Sequence, residues 1–378
     1  MIKSGIANLP LHGGNCPRWL FPRMKKLSGC ISELIIDEYG SEEFLKRLSS
    51  PYFFQALGCV IGFDWHSSGL TTTTLVALKE SINNKNLGVR ITGGKGKASR
   101  KALDEIQNTD FNLSTSIIEK LKYSSRISAK VDNVLVQDGY QLYHHSFVFD
   151  QKGNWTVIQQ GMNSETRYAR RYHWLSDNIF NFVEEPHNAI CCDNINNSTL
   201  DLTSKSHHEI KKISVDLVND DINNLNKHFN VKIKNKKNSL LQKTIYEFDE
   251  NQNAKTKIMT MAPRHTIIEM DKRNIETLKK AHEIQPKNYE ELVSLNGVGA
   301  KTIRSLALVS ELIYGAEINW KDPVKYSFAL GGKDKIPYEI DRKHYDDTIS
   351  IMLSAVRDVK LGDKEKLNAI RRLSSFYS

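Results

Sequence analysis

The feature that most constrains this chain is a short turn, Gly297-Val298-Gly299, placed between two helical patterns. Asn288 and Glu291 have the spacing of a capping box, which predicts that a short helix begins there and turns two leucines, Leu292 and Leu295, toward a core. A second helix is predicted to begin near Ala300 and to end at Gly315. Its three- and four-residue spacing predicts that it buries Ile303, Leu306, Val309 and Ile313.

The chemistry of this turn favours an anion. Glycine permits backbone angles and close approaches that a β-carbon forbids, and a helix start offers unpaired N–H groups and a positive dipole. The sequence therefore predicts a binding site for a DNA phosphate, formed by Asn296, Gly297, Val298, Gly299, Ala300 and Thr302. The alternative is an ordinary tight turn between two core helices.

The segment resembles the helix-hairpin-helix motif of DNA glycosylases, ligases, polymerases and Holliday-junction proteins. Contacts of this kind hold the DNA backbone and do not read its sequence. In one subset, the base-excision glycosylases, a lysine follows the hairpin and an aspartate lies further along, and the matching residues here are Lys301 and Asp341. They lie further apart than in most of those enzymes, and archaeal oxoguanine glycosylases carry a similarly lengthened segment.

That resemblance implies a catalytic pair. A lysine at a helix N-terminus lies in a positive field that favours its neutral, nucleophilic form, so that Lys301 would attack the sugar of a flipped nucleotide and form a Schiff base. Asp341 would activate the amine or stabilise charge on the sugar. In the alternative interpretation Lys301 contacts phosphate and Asp341 caps the last helix.

Charge and composition agree with a polyanionic partner. The chain has 378 residues and a formal net charge of +9, which concentrates nucleic acid around it. Its five cysteines show no CxxC spacing, which predicts a reducing compartment, and neither a signal peptide nor a membrane-spanning apolar run is evident. We therefore expect a soluble cytoplasmic protein without a membrane partner; its oligomeric state stays open.

The fold class predicted is α+β, with an N-terminal mixed α/β domain followed by an all-α C-terminal domain. The expected domains are 1–195, a helical connector with a basic Asn/Lys-rich loop over 196–265, and the helix-hairpin-helix domain over 266–378. In the first domain helices are predicted over 17–39 and 41–48. Strands are predicted over 131–149 and 155–160, around a turn at 150–154.

Two basic segments of the N-terminal domain are candidates for a nucleic-acid surface. The glycine-rich stretch 93–97 has the layout of an anion cradle but lacks the spacing of a Walker loop. The stretch 167–174 places arginines three and four apart, which predicts a helix face with interleaved aromatics. The candidate residues are Lys95, Lys97, Arg100, Arg167, Arg170, Arg171 and Trp174. Solvated or internally packed basic segments are the alternative.

Carboxylates and histidines in the same domain suggest a weaker hypothesis, a divalent-metal site that activates water. The candidates are Asp64, His66, Asp138, His144 and His145. The carboxylates of Asp132 and Asp193 could contribute to the same site. Their spacing matches no established metal motif, so that structural hydrogen bonding is the stronger interpretation for most of them. No cofactor is firmly predicted; a divalent metal belongs only to this alternative.

Several long motifs together resemble one largely archaeal family, domain-of-unknown-function family 763. They are 9–14, 62–69, 93–97, 137–145, 168–174 and 326–334. The resemblance covers nearly the whole chain and implies no particular reaction. The leading hypothesis is a base-excision DNA glycosylase/AP lyase, and the alternatives are a metal-dependent nuclease anchored by the hairpin and a non-enzymatic nucleic-acid-binding protein.

Overall fold

The computed structural model describes residues 16–63, 68–192, 199–220 and 272–324. It is of mixed α+β class and divides into two compact units. Within the described residues, the first unit comprises 16–63, 68–133, 139–192 and 322–324, and we call it the sheet unit. The second comprises 134–138, 199–220 and 272–321, and we call it the helical unit.

Three helices open the sheet unit: α1 (Phe21–Ser49), α2 (Pro51–Val60) and α3 (Ser68–Ile82). α1 contains a break at Gly40, whose φ of 86° and ψ of 168° lie outside the helical region. Only glycine adopts this conformation readily, so that the chain changes direction there. The two predicted helices, 17–39 and 41–48, are thus confirmed as the two arms of one interrupted helix.

An antiparallel sheet forms the centre of this unit. Its five strands lie in the order β1-β3-β4-β5-β6. They are β1 (Val89–Lys95), β3 (Gln141–Asp150), β4 (Trp155–Met162), β5 (Ala169–Leu175) and β6 (Ala189–Cys191). Between β1 and β3 the chain forms a 3-10 helix (Gly96–Lys101), α4 (Ala102–Gln107) and α5 (Thr115–Val134), and a second 3-10 helix (Ser176–Asn178) follows β5.

The predicted turn between β3 and β4 is confirmed. The side-chain Oδ1 of Asp150 accepts hydrogen bonds from the backbone N–H groups of Lys152 and Asn154, each at 2.9 Å. Gly153 occupies the position with φ of 88°. The short polar side chain and the glycine supply what a tight connection requires. The predicted strand over 131–149, however, begins too early, because residues 131–134 continue α5.

Both faces of the sheet are covered. One face packs an aliphatic cluster, including Ile91, Val148 and Ile158, against α1, α2 and α3. The opposite face is aromatic, with Phe147 stacked on Trp155 at 5.4 Å between ring centroids. Because β5 lies between β4 and β6 and is buried on both sides, its sequence lacks the alternation of a half-exposed strand.

The helical unit is built from α6 (His208–Asn219), α7 (Lys272–Ile284), α8 (Tyr289–Ser294) and α9 (Ala300–Tyr314). A two-stranded sheet, β2 (Val136–Gln137) with β7 (Leu200–Asp201), and a 3-10 helix (Lys205–His207) precede α6. His282 Nδ1 lies 2.9 Å from the Val218 carbonyl, and Asn219 Nδ2 donates to the Pro286 carbonyl at 2.9 Å. These bonds join the end of α6 to α7 and to the residues before α8.

Candidate nucleic-acid interface

The hairpin between α8 and α9 begins with a self-capped helix. The side-chain Oδ1 of Asn288 accepts the N–H of Glu291 at 2.8 Å, as the sequence predicts. The Glu291 carboxylate in turn accepts the N–H of Lys287 at 2.8 Å, one residue before the cap position of an ideal capping box. The amide groups at the start of α8 are therefore partly satisfied by the protein's own side chains.

In the turn that follows, Gly297 is required by the fold. Its φ is 89°, and a β-carbon placed there would lie 2.9 Å from Oγ1 of Thr277 on α7. Val298 is buried to 1% exposure, and its N–H donates to the Leu295 carbonyl at 3.3 Å. The apolar side chain thus anchors the turn while its neighbours Asn296 and Gly297 stay exposed.

Gly299 differs, because the fold does not require it. Its φ of −120° and ψ of 179° are extended values that any residue adopts. A β-carbon there would meet only the Gly297 carbonyl oxygen, at 3.8 Å, which is an ordinary contact. The sequence prediction that both glycines serve the backbone conformation is therefore correct for Gly297 and wrong for Gly299.

The start of α9 is left open by this glycine. Gly299 is the N-cap residue, and it has no side chain with which to accept an N–H. The first intrahelical bond is donated by Ile303 to the Gly299 carbonyl at 3.0 Å, so that the N–H groups of Ala300, Lys301 and Thr302 have no helical acceptor. The positive end of a helix of 15 residues coincides with them.

The side chains of Lys301 and Thr302 lie at this end of α9. Lys301 is exposed beside the open N–H groups. The Thr302 side chain is fully buried, and its Oγ1 has no hydrogen-bond partner in the part of the chain that the structure describes. A buried hydroxyl without a partner is uncommon, but at 0% exposure it is out of reach of a ligand at the surface. Asp341, the other predicted catalytic residue, lies outside the described residues.

The helix body behaves as predicted with one exception. Ile303, Leu306 and Val309 are buried, and Gly315 ends the helix in the left-handed conformation, with φ of 73°. Ile313 is 48% exposed, so the prediction that it is buried is wrong. It belongs to the last turn, where Leu312 and Tyr314 are exposed as well, because the packed part of the helix has already ended.

The glycine-rich stretch lies where β1 ends. Gly93 and Gly94 have φ of 79° and 140°, and the 3-10 helix begins at Gly96. A β-carbon at Gly93 would lie 2.2 Å from the His145 carbonyl oxygen, which explains that glycine by packing alone. The predicted nucleic-acid residues Lys95, Lys97 and Arg100 are all exposed there.

The stretch 167–174 is not a helix. It is a turn followed by strand β5, so that its residues alternate between the two faces of the sheet. Arg170, Arg171 and Trp174 are each 0% exposed and therefore do not form part of an exposed surface. Arg167 alone of the four candidates is exposed, in the turn before the strand. The helix prediction is wrong because a strand buried on both faces does not show the simple alternation of period two.

Arg170 pairs with Asp322, which lies 152 positions further along the chain and is not predictable from sequence spacing. Its guanidinium forms two hydrogen bonds with the Asp322 carboxylate, at 3.1 and 2.8 Å, and lies 4.5 Å from the Tyr140 ring centroid. The pair is buried within the sheet unit. Such bidentate contact compensates a charge that would otherwise be costly to bury.

The histidines predicted as metal candidates are engaged in buried hydrogen bonds. His144 Nε2 lies 2.9 Å from Ser146 Oγ, and His145 contacts Ser125 Oγ at 2.9 Å and Gln159 Oε1 at 3.0 Å. Asp138 is also buried. Asp64, His66 and Asp193 lie outside the described residues, and within those described no group of three His, Cys, Asp or Glu side chains is placed to hold a metal ion.

Asp132, which the sequence suggested only as a weak metal candidate, centres a hydrogen-bond network. Its carboxylate accepts from Gln159 Nε2 at 2.6 Å and from Trp174 Nε1 at 3.0 Å, and it contacts His187 Nε2. Because Gln159 donates to Asp132 through Nε2, its Oε1 accepts from His145 Nδ1, and His145 Nε2 accepts from Ser125. Burial lowers the pKa of His145 to about 4, which keeps the ring neutral.

No helix among the described residues has the length and apolar character needed to cross a membrane. The family model described as a protein of unknown function, DUF763, matches residues 5–340 of the chain. Neither a curated protein nor a solved structure matches the chain.

Proposed function

This chain belongs to the DUF763 family, and we propose that its helical unit binds the sugar–phosphate backbone of DNA at the open start of α9. The observation that carries the proposal is the contrast within one hairpin: α8 is capped by Asn288, whereas α9 begins at a glycine that the fold does not require. A residue without a side chain leaves the N–H groups of Ala300 and Lys301 accessible to a phosphate oxygen, whereas Thr302 is fully buried.

Three further features support a polyanion. The Lys301 side chain is exposed next to these N–H groups. The net charge of +9 provides long-range attraction. The turn also resembles the helix-hairpin-helix motif, whose contacts are to the backbone and leave the base sequence unread.

The test replaces Gly299 by aspartate. Its extended backbone suits an N-cap aspartate, which would accept the same N–H groups and place a negative charge where the phosphate binds. We expect Gly299→Asp to lower affinity for a labelled duplex by about tenfold or more, measured by fluorescence anisotropy at fixed salt, because charge-assisted hydrogen bonds contribute about 1.5–3 kcal/mol. Thermal stability should stay equal or rise slightly.

The matched control is Gly315→Asn at the other end of α9. Gly315 has φ of 73° and open space around it, and asparagine tolerates that conformation. This variant should bind DNA as the unmodified protein does. If Gly299→Asp keeps full affinity while remaining folded, the start of α9 is not the DNA site.

We further propose that the DNA bound is a substrate, and that the amine of Lys301 acts as nucleophile in a glycosylase/AP lyase reaction. Lys301 is exposed on the first turn of α9, next to the N–H groups that would hold the backbone. The amine nitrogen would bond to the sugar anomeric carbon while the damaged base leaves with the electrons of its glycosidic bond. Loss of the amine proton and opening of the sugar would give a Schiff base, and Asp341 is proposed to assist.

Borohydride reduction tests this step. It should trap a covalent protein–DNA adduct on oligonucleotides that carry damaged or abasic sites. Lys301→Gln should abolish the adduct, whereas Lys287→Gln, which removes another exposed lysine of the hairpin, should not. An adduct that persists in Lys301→Gln, or no adduct on any modified oligonucleotide, would leave Lys301 as a phosphate contact only.

A further inference from the structure

A row of chemically active side chains crosses the whole sheet. Cross-strand partners in register connect Lys95 with His144, His144 with Gln160, Gln160 with Arg171, and Arg171 with Cys191. Partners directly opposite each other share one face of a sheet, so all five residues lie on the same side. We call this set the polar row; it belongs entirely to the sheet unit.

Arg171 supplies a buried charge to the polar row. Its guanidinium donates to Gln55 Oε1 at 2.9 Å, Thr71 Oγ1 at 3.3 Å and His173 Nε2 at 2.9 Å, and it lies 4.8 Å from the Phe54 ring centroid. Across the strand it also meets the Cys191 thiol. Within the described residues none of these partners is a carboxylate, unlike the Asp322 that pairs with Arg170.

A fully buried guanidinium that has no carboxylate partner among the described residues is costly, and this cost favours an anion beside it. Arg171 is 0% exposed. Arginine keeps its charge at physiological pH, so it cannot avoid this cost by losing a proton. A phosphate oxygen is the anion whose geometry the planar guanidinium matches best.

Two neighbouring members of the polar row each have a buried atom without a partner. Gln160 donates through Nε2 to the Ser68 carbonyl at 2.9 Å and to the Tyr143 hydroxyl, which leaves Oε1 unpaired. His144 uses Nε2 for Ser146, which leaves Nδ1 unpaired. The side chains of Gln160 and His144 are 0% and 1% exposed, so water does not readily satisfy these atoms.

The first turn of α3 lies at the same place. Ser68 accepts from Gln160 and Thr71 accepts from Arg171, so the start of this helix of 15 residues adjoins the polar row. Its dipole adds positive potential. At the β1 end, Lys95 is exposed, and its Nζ lies 5.8 Å from the ring centroid of Tyr143. That end of the row is the one that faces solvent.

We propose that the polar row binds a phosphate monoester that also carries an N–H or O–H donor, the chemistry of a nucleotide. The phosphate would be held by Arg171 and the start of α3, and the rest of the ligand would extend along the row toward Lys95, three strands away. Phosphate alone does not satisfy the Gln160 Oε1, which accepts hydrogen bonds only, so a sugar hydroxyl or base amino group is needed there. The source is either a free mononucleotide or the terminal phosphate of a nucleic acid.

The proposal is tested with the full chain by isothermal titration. The probes are the four deoxynucleoside 5′-monophosphates, the matching nucleosides, inorganic phosphate, and a dinucleotide with and without a 5′-phosphate. We expect at least one 5′-phosphorylated probe to bind, with the nucleosides and inorganic phosphate at least about tenfold weaker. Binding of mononucleotides identifies a free ligand, and binding of the phosphorylated dinucleotide alone identifies a nucleic-acid end.

Variants on exposed lysines give the control, since they leave the buried network intact. Lys95→Ala should weaken the bound probe about tenfold, whereas Lys97→Ala, two residues further along in the 3-10 helix, should change affinity less than about twofold. Three results would each overturn the proposal. They are equal losses of affinity in the two variants, inorganic phosphate that binds as tightly as the monophosphates, and no binding of any probe at millimolar concentration. Gly299→Asp should leave nucleotide affinity unchanged, so this test stands apart from that of the hairpin.

Discussion

In the sheet unit, Asp132, Arg170 and Arg171 are completely buried, whereas along α7, α8 and α9 the buried residues are apolar apart from serine, threonine and tyrosine hydroxyls. The sheet holds its charges inside fixed hydrogen-bond networks. The hairpin instead leaves Lys301 and the open N–H groups of α9 at its surface. Charge in the first region is enclosed in the fold, and charge in the second is exposed.

A segment rich in basic residues can lie in the interior of the fold or at its surface. Residues 167–174 are rich in arginine, yet two of those arginines support the interior of the sheet. The turn at 297–299 carries no charge of its own, yet it presents the positive end of a helix. Local density of positive residues therefore does not by itself show that these residues lie at the surface.

The largest effect is expected when one partner of the buried ion pair Arg170–Asp322 is removed. Arg170→Met would leave Asp322 without its guanidinium in the interior, and we expect a loss of about 3–5 kcal/mol of unfolding free energy, measured by urea denaturation. The double variant Arg170→Met/Asp322→Leu should recover much of that loss, because no unpaired charge remains. A single variant that loses less than about 1 kcal/mol would show that the pair is not structurally important.

The second prediction concerns acid. Burial lowers the pKa of His144 to about 3 and of His145 to about 4, below the ordinary value of 6.5 that the unfolded chain retains. The unfolded state therefore binds protons first, and stability should be complete above pH 6.5 and fall as the pH drops from 6.5 toward 4. Each histidine contributes about 1.4 kcal/mol per pH unit at most.

His145→Gln checks the assignment, since glutamine keeps hydrogen-bonding capacity without titrating in this range. The slope of unfolding free energy against pH between 6.5 and 4 should become shallower in this variant. An unchanged slope would mean that other groups dominate the acid response. The helical hairpin should contribute little to this slope, so that the pH dependence of stability should come mainly from the sheet unit.

The two glycines of the turn provide a third, smaller effect. Gly297→Ala combines a positive φ of 89° with a contact to Thr277 Oγ1 that is too close, and we expect a loss of about 1–3 kcal/mol. Gly299→Ala should stay within about 0.5 kcal/mol, because its backbone is extended and its surroundings are open. Thermal denaturation of both variants is the measurement. Equal losses would remove the argument that Gly299 is free of structural constraint.

The smallest effect is expected for Lys301→Gln. The exposed side chain should contribute little to folding, with a change within about 0.5 kcal/mol. Its removal should weaken DNA binding and lower the slope of log K against log salt by about 0.9, the value for one phosphate contact. A slope equal to that of the unmodified protein would show that Lys301 does not contact a phosphate.

Local signals in the sequence predict local structure well in this chain. Asn288 and Glu291 mark the start of α8, Gly315 marks the end of α9, and Asp150 with Gly153 marks the hairpin between β3 and β4. Each of these features depends on residues within one turn of each other. The predicted helices 17–39 and 41–48 likewise leave Gly40, the residue at the break in α1, between them.

Contacts between distant residues are what the sequence does not reveal. Arg170 meets Asp322, Asp132 meets His187, and the polar row joins residues of five strands. Pairing in register creates the neighbours within the polar row, and register depends on the whole sheet rather than on spacing along the chain. Distant contacts also explain why the helix prediction for β5 is wrong, since its side chains are buried by elements packed on both faces of the sheet.

The most direct test of the DNA site is to observe the open N–H groups themselves. In a protein labelled with ¹⁵N-lysine, the backbone amide resonance of Lys301, assigned with Lys301→Arg, should shift on addition of a short duplex. The amide of Lys152, in the turn between β3 and β4, should not. A saturating shift of Lys301 that disappears in Gly299→Asp supports the account. An unshifted Lys301 amide at a DNA concentration that saturates binding would contradict it.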